Sequence, residues 1–148
     1  MILRRAASGA LAFVVMAATA LVFAVPAHAA DSLSIASRGR LVERGLYLSV
    51  PVTYTCSGPR PTSVTATVTQ ITKGAVPAIL RGYVDGYNNP AVCDGSNHTR
   101  TLMVYAGYNL YPWEVGTAKV EAQLVMEDEL GYPILLTSTV GQIKVMRK

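Results

Sequence analysis

Catalysis depends on a few side-chain types, and this sequence is sparing with them. It holds two histidines, His28 and His98, and two cysteines, Cys56 and Cys93. A serine-type triad would have to be built on His98, because His28 falls in an N-terminal stretch that reads as a cleavable leader. There is no Gly-x-Ser-x-Gly turn to present a serine, and His98 opens a strand-like run beside Asn97 and Thr99, the setting of a surface histidine. A zinc site needs about four nitrogen or sulfur ligands, more than one histidine and a bonded cysteine pair supply. Glu127, Asp128 and Glu129 gather three carboxylates, but successive strand residues point to opposite faces and no Asp-x-Asp-x-Asp-Gly loop surrounds them. A solvated hairpin tip is expected there, not calcium. Asp85, Asp94 and Glu114 stand near loops, and two of them facing each other across a cleft would suit glycoside hydrolysis. Loop acids mostly face water, however, and no phosphate-cradling glycine loop is present. The expectation is therefore no enzyme and no cofactor, with a small hydrolase using those loop carboxylates as an alternative.

Two features carry more weight. In an exported protein an even cysteine count at wide separation indicates a disulfide, so Cys56 and Cys93 are expected to be bonded. Closing that loop would stabilise the fold by about 4 kcal/mol on a chain-entropy argument. The second is aromatic. Tyr105, Tyr108, Tyr111 and Trp113 fall within nine residues, and Tyr83 and Tyr87 add two more rings. Rigid amphipathic rings on loops bury large areas while ordering few torsions, so Tyr87, Tyr108, Tyr111 and Trp113 are the favoured contacts for a protein or glycan partner. The same rings would serve as lids over the open end of a core. A third class of function, inhibition of secreted proteases, would need a rigid extended loop, and Ser57 to Thr62 with Pro59 and Pro61 is the segment that fits.

The elements that must position these residues begin after a leader. Arg4 and Arg5 precede an uncharged apolar run from Ala10 to Val25, and Ala27-His28-Ala29 gives a small-x-small cleavage pattern. Residues 1–29 are read as a signal peptide and 30–148 as one secreted domain. The apolar run is shorter than the roughly twenty residues that span a bilayer, so no membrane span is expected in the mature protein. Ala6-Ala7-Ser8 does not continue a twin-arginine signal, which favours general secretion. Of thirteen basic residues, Arg4 and Arg5 leave with the leader, and all nine acidic ones remain, so the mature charge is +2. That near balance argues against nucleic acid as a partner. Arg38, Arg40 and Arg44 form the one local basic cluster, read as solubilising charge on an edge strand or terminal stretch.

Beyond the leader the dominant pattern is period-two alternation, the mark of half-buried strands. Leu46, Leu48, Val50, Val52, Tyr54 and Cys56 share one face, with Pro51 on the other suggesting an edge or a bulge. Val64, Ala66 and Val68 define the next strand, and Ser57 to Pro61 reads as a hairpin-type connection between the two. Further strands are expected over Ala78–Val84, His98–Ala106 and Ala118–Met126. The last begins at Ile134 and changes phase at Gly141, a candidate bulge. With Leu33–Ala36 and Leu41–Glu43 the count reaches about seven, which suits an immunoglobulin-like Greek-key β-sandwich. One departure stands out: Cys93 precedes the His98 strand and Trp113 sits in a connection, unlike the core disulfide and tryptophan of antibody domains.

Tyr54-Thr55-Cys56-Ser57-Gly58, Thr69-Gln70, Cys93-Asp94-Gly95 and Gly116-Thr117-Ala118 resemble segments of small secreted actinobacterial domains of uncharacterised function. The resemblance covers most of the mature chain. It implies an immunoglobulin-like sandwich with one disulfide and brings no assigned activity.

Overall fold

A computed structural model of the chain describes residues 30–73, 79–84, 86, 88–106 and 111–147. Among these the architecture is all-β: nine strands and one 3-10 turn. The strands are β1 (Ser32–Ile35), β2 (Arg38–Val42), β3 (Tyr47–Ser57), β4 (Thr62–Ile71), β5 (Ile79–Val84), β6 (Pro90–Ala91), β7 (Asp94–Tyr105), β8 (Gly116–Glu127) and β9 (Pro133–Met146). The turn, Glu43–Gly45, lies between β2 and β3.

Pairing sorts the strands into two layers of a sandwich-like sheet. In one, β3 is flanked by β7 on one side and by β1 and then β2 on the other, all antiparallel. In the other the order is β9-β8-β4-β5, also antiparallel, with β6 added to β4. The layers are joined where β2 runs parallel to the end of β9, with Arg38 opposite Lys144 and Arg40 opposite Met146. Inward positions follow the expected alternation: Leu48, Val50, Val52 and Tyr54 of β3 are buried with Val64, Ala66 and Val68 of β4 and Ala118, Val120, Ala122 and Leu124 of β8.

Several expectations are corrected. The Ser57–Pro61 turn is not a hairpin, because β3 and β4 are not neighbours and the chain crosses there from one layer to the other. Pro51 marks neither an edge nor a bulge. It sits in register with Thr101 of β7, and on its other side it faces Ala36, past the end of β1 and before the β2 ladder begins at Ser49. Its carbonyl still accepts from Ala36 N at 3.0 Å, so the missing N–H costs a bond only at a break between strands. The phase change in the last strand is at Leu136, an extra residue between the pairs Leu124–Thr137 and Val125–Leu135, and Gly141 is in regular register with Val120. Finally, β2 is no edge, since both of its sides are paired.

Cys56 and Cys93 are bonded, with Cα atoms 4.5 Å apart. The bond pins the segment that leaves β6 to the end of β3, next to a shift in the β3–β7 register between Thr55 and Ser57. Arg100 of β7 holds the segment that enters β6 by donating to Asn88 O, Asn89 Oδ1 and Pro90 O. On the side away from β2 and β9, no ladder joins β5 to β7 among the described residues. Trp113, 2% exposed, fills that seam.

Candidate functional site

The Trp113 segment is built by three contacts. Its indole Nε1 donates to Val104 O of β7 at 3.0 Å, so the buried ring has its polar group satisfied. Its backbone N donates to Gly45 O at 2.8 Å. Next to it, Gln70 of β4 takes both main-chain groups of Glu114: Nε2 donates to Glu114 O at 2.8 Å and Oε1 accepts from Glu114 N at 2.9 Å. Two glycines make room. A Cβ on Gly82 of β5 would lie 2.6 Å from the indole and 2.5 Å from Tyr105 O, and one on Gly45 would lie 2.4 Å from Trp113 O.

Gly45 closes a strained turn. Glu43, Arg44 and Gly45 all have left-handed backbone, with φ of 49°, 58° and 94°. For glycine this is free, but a residue with a Cβ is disfavoured there by about 1–2 kcal/mol. Between this turn and the Pro112–Val115 segment lies an open groove of about 1070 Å³. Leu41, Val42 and Trp113 contribute apolar surface to it, and Arg40, Arg44, Arg147, Glu43 and Glu114 bring charge. Its charged groups come from three places in the sequence, which is why the groove is invisible in any one segment. The nearest signal was Glu43-Arg44-Gly45, two charged residues and a glycine squeezed between strands.

The favoured aromatic contacts fare differently. Trp113 is core, 2% exposed with its ring packed in the seam, and it meets the groove only as part of the lining. Tyr111 is exposed and adjoins Pro112 at the groove. Tyr87 and Tyr108 lie outside the described residues. Tyr105 points outward from β7 and meets Tyr47, with ring centroids 5.5 Å apart.

The remaining chemistry is at the far end of β3. His98 Nε2 and Asp94 Oδ1 are 2.8 Å apart, and the His98 ring packs on Tyr54. The His98 hydrogen bond, followed by one from Ser96 N, holds the Asp94 carboxyl below its ordinary range. Asp94 pairs with Ser57 at one end of β3, whereas Glu114 lies beside the turn that precedes Tyr47 at the other. A strand of that length spans roughly 30 Å, far beyond the 5–10 Å that glycoside hydrolysis requires, so these two acids are not a catalytic pair. Asp85 lies outside the described residues. At the β8–β9 hairpin, Asp128 Oδ1 accepts from Leu130 N and Tyr132 N at 2.8 Å each, and Glu129 pairs with Arg60 at 3.1 Å. These acids organise a turn. Among the described residues no group of three histidine, cysteine or acidic side chains is placed to hold a metal ion. The Ser57–Thr62 segment bends at Gly58, Pro59 and Arg60 and does not run extended. No described helix is long and apolar enough to cross a membrane.

No protein-family model matches the chain, and no curated protein matches it in sequence.

Proposed function

We propose that this chain is a secreted, non-enzymatic binding module of immunoglobulin-like type, released by cleavage after Ala29, whose site is the groove between the Glu43–Gly45 turn and the Pro112–Val115 segment. The observation that carries the reading is the groove itself. It has the volume of a small-molecule or side-chain site, it is bounded by a backbone held in a costly conformation, and Tyr111 stands exposed at its margin. Strain of this kind persists where the surrounding structure over-determines it, and it gathers at ligand sites. Export is supported by the leader pattern and by a disulfide of the kind that oxidising compartments preserve.

Trp113 is the sole tryptophan and borders the groove from beneath. Its emission, titrated with cell-wall glycans, secreted proteins and small apolar ligands, is the direct test. A saturable change with one of these classes, weakened by Tyr111→Ala, is expected. A blue emission that no ligand alters would leave the aromatic segment a structural lid and remove the reading.

A further inference from the structure

We propose that the groove binds an organic anion, a carboxylate or phosphate monoester carried on an apolar body, through Arg40, Arg44 and Arg147. The inference rests on the groove being the binding site and adds the chemistry of its ligand.

The three arginines line the groove from separate places: β2, the left-handed turn, and the residue that follows β9. They are brought together by the parallel pairing of β2 with β9, which sets Arg40 opposite Met146 and so places Arg147 beside the end of β2. None of the three takes part in an ion pair among the described residues, although Glu43 and Glu114 border the same groove. Like charges gathered without partners repel one another, and an anion relieves that repulsion. Guanidinium suits the task, since its planar fork holds carboxylate and phosphate oxygens in pairs.

Arg44 adds a second, independent observation. Its φ of 58° is a conformation where glycine or asparagine would be more stable, yet the position, part of the groove lining, carries a long cationic side chain. A backbone outlier of this type at a cavity is the usual accompaniment of a functional side chain.

The rest of the lining sets the kind of anion. Leu41, Val42, Pro112 and Val115 offer an apolar bed, and the volume far exceeds that of an inorganic ion. Glu43 and Glu114 line the same groove and oppose further negative charge there, which disfavours polyanions such as nucleic acid. The ligand is therefore an amphiphile with one anionic head.

The test uses four probes built on eight-carbon chains, below their micelle concentrations: octanoate, octyl phosphate, octyl glucoside and octyltrimethylammonium. Each is titrated into the disulfide-bonded domain and followed by Trp113 emission. Octanoate or octyl phosphate is expected to bind saturably and at least about tenfold more tightly than the neutral and cationic probes, as one charge-assisted contact implies. Whichever of the two anions binds more tightly distinguishes a carboxylate from a phosphate head. Arg44→Glu and Arg147→Glu should each weaken the anion about tenfold, and rising salt should do the same progressively. Arg60→Glu, at the far end of the sandwich, should not. If Arg44→Glu fails to fold, Arg147→Glu, beyond the last strand, carries the comparison. Equal binding of octyl glucoside, or indifference to both substitutions, overturns the anion assignment and leaves the groove a binding site. Absence of binding by all four probes also overturns it, while the wider titration with glycans and proteins tests the binding module separately.

Discussion

Gln70 makes two bonds to one residue's main chain that only a carboxamide can make together, donating to Glu114 O and accepting from Glu114 N. At 2% exposure it has no water to replace either. Gln70→Glu keeps the shape and alters one group. When ionised, the new carboxylate still accepts from the Glu114 amide, but its second oxygen faces the Glu114 carbonyl where a donor stood. When protonated, it donates there as the carboxamide did. Burial and the facing carbonyl both favour the neutral acid, so its folded pKa rises above the unfolded value. A rise of about two to three units, at about 1.4 kcal/mol each, amounts to a loss of roughly 3–4 kcal/mol at pH 8. The native state then holds a proton that the unfolded chain has released, so stability relative to the parent falls as pH rises from about 4 and is regained on acidification. Urea unfolding of parent and variant at pH 4, 6 and 8 measures this. Gln70→Ala, which lacks both bonds at every pH, should show a pH-independent loss of about 2–4 kcal/mol. A Gln70→Glu penalty that is the same at pH 4 and pH 8 refutes the bonding scheme.

Other perturbations address separate contacts. Gly82→Ala forces a methyl against the indole and Tyr105 O, and should cost about 1–3 kcal/mol and shift Trp113 emission; an unchanged spectrum and urea midpoint would show the seam to be looser than described. Replacing Cys56 and Cys93 together by alanine opens a loop spanning a sequence separation of 37 and should lower stability by about 4 kcal/mol, so an unchanged midpoint would mean that the β3–β7 ladder already imposes the constraint. Asp94, held down by His98 and Ser96, should titrate below 3.8 in a carboxyl NMR experiment. Because its folded pKa is depressed, its contribution to stability is present above the unfolded value and lost as pH falls through the folded one. Asp94→Asn should remove that acid-side loss, and a midpoint at or above 3.8 contradicts the hydrogen-bonding account.

What the sequence discloses and what it hides divide along a physical line. Local alternation was enough to orient β3, β4 and β8, because a strand buried on one face must alternate whatever its partners are. The cysteine pair was legible for a similar reason, as an even count at wide separation leaves little choice. Partner choice was not. Ser57-Gly58-Pro59 makes a turn in either topology, and nothing local says that β4 leaves β3 for the opposite layer. The bulge at Leu136 was misplaced to Gly141 because glycine advertises an irregularity that an apolar leucine can also supply. Trp113 read as a loop aromatic since its burial depends on Gly45 and Gly82, both distant in sequence, as well as on Val104. The groove was missed for the same reason: Arg147 meets Arg40 only through a parallel pairing that no turn signal announces.

That pairing also governs timing. Arg38 and Lys144 stand far apart in sequence, so their contact closes a long loop. Antiparallel neighbours such as β8 and β9 can meet across a short turn, but β2 must wait for a strand far along the chain. Until it arrives the two layers have no hydrogen-bonded seam, and topologies ruled by distant pairings fold slowly, over milliseconds to seconds. The seam is thus expected to close after the nearer pairings, which leaves a stage of folding at which each layer has formed and the two are not yet joined by backbone bonds.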